Sequence, residues 1–190
     1  ITADHAILNE DDKSGDNDRV ACVIQDQYTH WLQSFAAPTK SAEETAKAVK
    51  RFLGPQTKAK HAYSDSSKEF CKAFNDLDIL HDTSTPHRPE TNGVAERAVR
   101  RVKEGTSCAL VQSGLLPGVW WVYAMNCYCC LRNMVDVRTT NETAYHRRLA
   151  VNFSGPIYLC GCEIKYKPIS KDDVVRAHKF GEKMFPVTYF

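Results

Sequence analysis

The sequence predicts an α/β fold in which helices cover both faces of a mixed five-stranded sheet. Two observations predict this class. The chain opens with three short runs rich in β-branched, aromatic and other apolar residues, which are typical of strands. Helix-type segments then alternate with two further strand-type segments before two long helices. Three antiparallel strands followed by strand–helix units give a mixed sheet with helices packed on it.

The first half of the chain supplies the antiparallel part. "ITADHAIL" predicts the first strand, and "RVACVIQD" with "HWLQSFAA" predicts a hairpin that turns near Tyr28. Ser41 and Glu44 have the spacing of a capping box, which predicts the start of an Ala-rich helix that ends near Gly54.

The second half supplies the strand–helix units. "KHAYSD" predicts a short strand with Asp65 at its end, and Ser66 with Glu69 predicts the start of the next helix. "DILHDTS" predicts the fifth strand. A helix that carries Glu96 follows and ends near Ser113, and the apolar run "PGVWWVYAMNCYCCLRNM" predicts a final buried helix.

Composition limits the classes of protein. The 190 residues are 43% hydrophobic, which is enough for a core, and 25 Lys+Arg against 23 Asp+Glu give a net charge of +2. Any nucleic-acid surface must therefore come from local clustering of charge. No run approaches the ~18 apolar residues of a membrane span. We expect a protein without a membrane partner, cut from a longer polypeptide, since the chain begins with Ile and stops in "MFPVTYF".

Eight cysteines are present, several of them inside apolar runs. We expect reduced, packed thiols, because an intracellular chain rarely keeps disulfides. The clusters around Cys127 and Cys160 lack the ligand spacing of a structural zinc site.

The segment "TSTPHRPETNGVAERAVRRVKEG" (residues 83–105) carries the strongest functional signal. On its helix Glu96, Arg100 and Lys103 fall within a sector of roughly 60°, whereas Val94, Ala98 and Val102 are placed on the core side. A solvated face with one weak ion pair would account for this pattern. Two prolines and an Asn-Gly pair shape the entry to the helix, however, and a carboxylate flanked by cations there suits a metal ion beside a phosphate.

Three carboxylates can meet if the first and fourth strands are neighbours: Asp4, Asp65 and Glu96. Like charges raise one another's pKa, so such a cluster favours bound cations. Two Mg²⁺ or Mn²⁺ ions about 4 Å apart would suit phosphoryl transfer by in-line displacement. Asp26 is the runner-up for the first acid, with a structural role in the hairpin as the alternative.

The residues 1–133 resemble the catalytic core of retroviral and retrotransposon integrases, the DDE polynucleotidyl transferases with an RNase H-like fold. The resemblance is carried by "IQDQYTHWLQSFAAPTKSAEETAKAV", "AYSDSSKEF" and "STPHRPETNGVAERAVRRVKEGT". The tail "FSGPIYLCGCEIKYKP" with "DDVVRAHKFGEKMFPV" resembles the segment that follows the core in copia-type Pol polyproteins.

The resemblance implies roles for particular residues. It implies that Asp4, Asp65 and Glu96 are catalytic and hold two Mg²⁺ or Mn²⁺ ions, with no small-molecule cofactor. It also implies contacts with DNA from a second set of residues: Asn92, Arg100 and Lys103. His87, in the loop before Glu96, is a further candidate for DNA contact, with no functional role as the alternative.

Two departures from the family pattern are visible. Thirty residues separate Asp65 from Glu96, a few fewer than is usual. Ser66-Ser67 follows Asp65 where the family has Asn-Gly, which removes a glycine that tolerates positive φ.

The resemblance implies DNA integration: water cuts near a DNA 3′ end, and the freed 3′-OH attacks target DNA. A decayed or domesticated remnant that only binds DNA or self-associates is one alternative, and a nuclease without strand transfer is another. We expect residues 1–150 to form the core and residues 151–190 a C-terminal extension. We also expect DNA partners, a homo-oligomer, and an intracellular protein that acts in the nucleus.

Overall fold

A five-stranded sheet with helices on both faces forms the body of the protein, as the sequence predicts. A computed structural model describes residues 1–8, 17–85, 92–137, 141–167 and 184–189. The strands of the main sheet are β1 (Thr2–Ile7), β2 (Val20–Gln25), β3 (Leu32–Ala37), β4 (Ala62–Ser64) and β5 (His81–Thr83). The helices are α1 (Ala42–Leu53), α2 (Lys68–Asp76), α3 (Gly93–Ser113), α4 (Pro117–Val135) and α5 (Ala144–Leu149). A separate two-stranded antiparallel sheet is made of β6 (Glu163–Tyr166) and β7 (Phe185–Thr188).

The sheet order is β3-β2-β1-β4-β5. β1 pairs antiparallel with β2 and parallel with β4, and β4 pairs parallel with β5. The predicted neighbourhood of the first and fourth strands is therefore present. Parallel pairing brings the carboxyl ends of β1 and β4 to the same end of the sheet.

Alternation of side chains along β1 and β2 divides the core into two layers. Ala6, Ala21 and Val23 face α3 and α4, where Val102, Trp121 and Met125 complete one cluster. The other layer packs α1 and α2 on the opposite face. Its main members are Ala3, Cys22, Ile24, Val49, Phe52, Phe70 and Phe74.

The predicted N-cap of α1 is confirmed, and the predicted N-cap of α2 is wrong by one residue. The Ser41 side chain accepts a hydrogen bond from the backbone N–H of Glu44 at 3.2 Å, which is half of the predicted capping box. The α2 cap is Ser67 and not Ser66, and its side chain makes no cap bond. The Asp65 carboxylate instead accepts the backbone N–H of Ser67 at 3.2 Å.

Helix α4 is only partly buried, although its apolar sequence is typical of a buried helix. Trp121, Ala124 and Met125 are in the core, but Val119 and Tyr123 are 46% and 44% exposed. In the described part of the chain no single helix is long and apolar enough to span a membrane. α3 and α4 reach that length and composition only as a pair bent by 116°.

A disulfide joins Cys127 of α4 to Cys160, so the expectation of reduced thiols is wrong for this pair. The other six cysteines are free. Next to the disulfide, Gly161 has a φ of +75° and lies so close to Ser113 that a Cβ would be 2.3 Å from the serine Cβ. The segment after α5 is thus fastened to both long helices.

The crossing of α3 and α4 depends on Gly105. A Cβ built on Gly105 would lie 2.1 Å from the Tyr128 ring, so only glycine allows the ring to pack on the α3 backbone.

We expect Gly105→Ala to lower the free energy of unfolding by ~1–3 kcal/mol, because the ring must move out of a packed site. Gly118→Ala in α4 is the control, since no atom lies within 4 Å of its Cβ position. Urea unfolding measures both. An equal effect of the two substitutions would show that the Tyr128 contact does not limit the packing of these helices.

Candidate active site

Three acidic residues lie towards the same end of the sheet. Asp4 lies in β1, Asp65 directly follows β4, and Glu96 lies in the first turn of α3. The pKa of Asp4 is raised to about 6, first by burial and then by the charges of Asp65 and Glu96, while a hydrogen bond from the His5 amide opposes the shift. Asp4 therefore interacts electrostatically with both other acids, although they are 61 and 92 positions away in the sequence.

The loop before α2 tolerates the missing glycine. The residues with positive φ in the described segments include neither Ser66 nor Ser67, and Ser67 has a φ of −64°. The turn after Asp65 is closed by its own carboxylate, which accepts the Ser67 amide. The Asp-Ser-Ser sequence thus builds this turn without left-handed backbone.

Two polar atoms near the acids have no hydrogen-bond partner among the described residues. They are the Ser67 hydroxyl and the side-chain oxygen of Asn92. Asn92 is buried one turn before Glu96, and its backbone carbonyl accepts the Glu96 amide at 3.1 Å. Buried polar groups are normally satisfied, so both mark a place where a polar ligand or ion would fit.

The cationic face of α3 is present. Glu96, Arg100 and Lys103 are exposed, and Ala98 and Val102 are buried as predicted. Val94 is 41% exposed and does not join the core face, where Ala95 takes its place. His87 lies outside the described residues.

His5 is a feature of the site that the sequence reasoning did not consider, although it follows Asp4 directly. Its ring stacks on Phe70 at 4.3 Å and its Nε2 lies 3.2 Å from the Thr45 hydroxyl. Burial is the main cause that lowers its pKa to about 4, so His5 is neutral near neutral pH. A neutral imidazole adds no repulsion to a cation held by the neighbouring acid.

His81 and Asp26 have structural roles. His81 lies in β5, where its Nε2 is 2.9 Å from the Ser64 hydroxyl and its ring packs against Phe74. Asp26 accepts the Thr29 backbone N–H at 2.9 Å in the β2–β3 turn. This is the structural alternative considered for Asp26.

The donor set suits a hard divalent cation, because three carboxylates supply oxygen ligands and excess negative charge. Among the described residues, no three His, Cys, Asp or Glu side chains lie close enough to hold one metal ion. The three acids thus interact electrostatically, but their carboxylates are too far apart to bind one metal ion together.

The fold is that of retroviral integrase catalytic cores. The chain is similar to the catalytic core domain of BIV integrase (TM-score 0.57, 18% identity, 78% of this chain and 92% of that one). It is also similar to the HTLV-2 integrase catalytic core in complex with magnesium, a trimeric form (TM-score 0.54, 19% identity, 76% of this chain and 92% of that one). A simian T-cell lymphotropic virus intasome in complex with a PP2A regulatory subunit matches 98% of this chain and 66% of its own (TM-score 0.61, 16% identity).

The curated relatives that match in sequence are transposon Pol polyproteins. The chain is 34% and 30% identical, over 117 residues, to the retrovirus-related Pol polyproteins from transposons RE1 and RE2 of Arabidopsis thaliana. The match covers 58% of this chain and 8% of each polyprotein. No family model matches the sequence. The predicted resemblance is confirmed: the chain is similar in sequence to transposon Pol polyproteins and has the fold of integrase catalytic cores.

We expect Asp4→Asn to raise the free energy of unfolding by ~1–2 kcal/mol near pH 7.5 without divalent cations. The pKa of Asp4 is raised from 3.8 to about 6 in the folded state, so its ionised form opposes folding above that range. The effect of His5 on the free energy of unfolding has the opposite pH dependence. Burial lowers the pKa of His5 to about 4, so the folded protein loses stability as the pH falls from 6.5 to about 4.

The contributions of Asp4 and His5 to the free energy of unfolding oppose each other between about pH 4 and 6. In Asp4→Asn only the His5 contribution remains. The variant should therefore lose more stability on acidification than the wild type does. Urea unfolding at several pH values measures this. Parallel pH profiles for the two proteins would contradict the shift assigned to Asp4.

Proposed function

We propose that the protein is a metal-dependent DNA integrase that processes DNA 3′ ends and transfers them into target DNA. The observation that carries the proposal is that Asp4, Asp65 and Glu96 lie near enough to interact electrostatically: burial is the main cause of the raised pKa of Asp4, and the charges of the other two acids add to it. The similarity to integrase cores in fold and to transposon Pol polyproteins in sequence supports it.

The acids are the proposed ligands for two Mg²⁺ or Mn²⁺ ions. One of the similar integrase cores is described in complex with magnesium, which supports the choice of metal. When bound, such ions activate the attacking hydroxyl group and neutralise charge that develops on the phosphate. The pKa of Asp4 is raised mainly by burial and further by the charges of Asp65 and Glu96, and a bound cation would offset both causes.

The proposed reaction consists of two displacements at phosphorus. In the first, a water oxygen bonds to a phosphorus near the DNA 3′ end and the P–O3′ bond breaks, which leaves a free 3′-OH. In the second, that hydroxyl bonds to a target phosphorus and the target O3′ leaves. Arg100 and Lys103 would hold DNA phosphates beside the acids, and Asn92 would contact the DNA end.

We expect Asp65→Asn to abolish strand transfer and to weaken Mg²⁺ or Mn²⁺ binding, since it removes an anionic ligand. Strand transfer is measured with labelled DNA ends and a supercoiled target, and metal binding by calorimetry. Asp26→Asn is the control that carries the same chemical change in the β2–β3 turn, and it should keep both activities. If Asp65→Asn retains metal binding and strand transfer, the site is wrongly placed.

A catalytically decayed remnant is the second candidate, favoured by the absence of a metal-ligand group among the described residues. It predicts that the wild type binds DNA but does not join DNA ends with either ion. Cleavage without joining would instead favour the nuclease.

We expect Arg100→Glu with Lys103→Glu to weaken DNA binding for all sequences and to reduce its salt dependence. Each lost phosphate contact lowers the slope of log K against log salt by about 0.9 for duplex DNA. Both side chains are exposed, so stability should change little. A binding titration at several salt concentrations tests this. An unchanged slope would show that Arg100 and Lys103 face solvent and do not contact DNA phosphates.

The proposed catalytic core spans residues 1–150, and residues 151–190 form the proposed extension. The boundary is supported by α5, whose Arg148 guanidinium donates to the Phe52 carbonyl at 2.6 Å and so joins α5 to α1. After α5 the described chain is mostly exposed until Cys160.

We further propose a homo-oligomer, supported by the trimeric form and the intasome among the similar structures. β3 is an edge of the sheet, and a cavity of about 420 Å³ lies between it and α4. The exposed Tyr123 of α4 lies on the helix that forms one wall. Edges and exposed apolar faces are common places for association.

We expect Tyr123→Glu to shift the protein towards the monomer, because a charge would be buried in the interface. Leu80→Glu is the control, since Leu80 is 70% exposed beside β5 at the other edge of the sheet. Light scattering over a range of concentrations measures the mass. A wild type that stays monomeric would rule out an interface in this chain.

A further inference from the structure

A wide groove lies at the end of the sheet opposite to Asp65. Its walls are the β2–β3 turn, the end of α1, the segment before β4, and α5. Its volume is about 740 Å³. His61, which lines it, directly precedes β4, whereas Asp65 directly follows that strand, so the groove and the acids are at opposite ends of β4.

Cations dominate this groove. Lys58 and Lys60 are exposed in the segment before β4, and Arg148 enters from α5. Two carboxylates are nearby, but both are already engaged. Asp26 accepts the Thr29 amide at 2.9 Å, and Asp82 lies 2.9 Å from His61 Nε2.

Arg148 is a fixed charge in the wall. Its guanidinium donates to the Phe52 carbonyl at 2.6 Å and lies 4.9 Å from the centres of the Trp31 and Phe52 rings. A held cation loses little conformational entropy when it meets an anion.

An exposed aromatic ring stands at the mouth of the groove. Tyr28 is 75% exposed at the tip of the β2–β3 turn, although a ring of this size normally gains by burial. Arg147 lies 5.0 Å from the ring centre. Exposed aromatic rings beside cations form the surface on which unpaired bases stack.

We propose that this groove binds single-stranded DNA: Lys58, Lys60 and Arg148 contact its phosphates, and a base stacks on Tyr28. The site goes beyond the proposed function because it lies at the other end of β4 and requires no chemistry. The choice of DNA as the nucleic acid rests on that function, whereas the pairing of phosphates with cations and of a base with Tyr28 does not.

The test uses the full chain with Arg100→Glu and Lys103→Glu already present, so that the two phosphate contacts proposed beside Asp4, Asp65 and Glu96 are removed. A short labelled oligothymidylate is titrated by fluorescence polarisation. Lys58→Gln with Lys60→Gln should weaken binding and lower the salt slope by about 0.7 per lost phosphate contact. Tyr28→Ala should weaken binding about fivefold or more without changing the salt slope.

The matched control is Lys47→Gln with Lys72→Gln, which removes the same net charge from exposed positions of α1 and α2. It should leave the affinity within about twofold, since these lysines pair with acids on their own helices. Equal losses in the control and the groove variants would overturn the proposal. So would tighter binding of oligouridylate than of oligothymidylate.

A change of mass in light scattering on groove substitution, with oligothymidylate binding unchanged, would make the groove a contact between copies of the chain and also overturn the proposal. Failure of the proposed function is separable: a wild type without strand transfer would still show oligothymidylate binding that depends on Tyr28.

Discussion

The parallel pairing of β1 with β4 is the constraint on which the site depends. It is a short pairing, with Thr2 opposite Tyr63, yet it fixes where the end of β4 lies relative to Asp4. Helix α3 then packs across β1 and β2, which brings its first turn to the same end of the sheet. Backbone hydrogen bonds and apolar packing thus hold the acids near one another in the folded protein against the repulsion of their charges.

The sequence predicts the parts of this arrangement that depend on periodicity and turn chemistry. The order of the first nine elements, the neighbourhood of β1 and β4, the Ser41 cap and the end of α3 near Ser113 all follow from local patterns. The placement of Asp4, Asp65 and Glu96 towards one end of the sheet follows as well, because strand adjacency in an α/β sheet converts sequence order into position, but the described acids do not reach metal-ligand distance.

Features that depend on contacts between distant parts of the chain could not be predicted from the sequence. The cap of α2 moves from Ser66 to Ser67 because the Asp65 carboxylate takes the Ser67 amide, a bond that depends on how β4 ends. Val94 is exposed because α3 turns Ala95, and not Val94, towards the core. Asn133 could not be anticipated either: its side chain bonds both the N–H and the C=O of Leu32, at 3.0 and 2.8 Å, and so satisfies the edge of β3 from α4. The Cys127–Cys160 disulfide joins positions 33 apart that no spacing rule pairs.

The disulfide and Gly161 determine how freely this protein can vary in length. They fasten the chain after residue 159 to α3 and α4, while α5 fastens it before residue 150. The residues between these two attachments are mostly exposed, so they work as a surface loop whose ends are fixed independently. Doubling such a loop costs only about 0.6 kcal/mol of closure entropy. Insertions and deletions there should therefore accumulate among relatives, while the Asp65–Glu96 interval, which must place two acids together, has much less freedom to change.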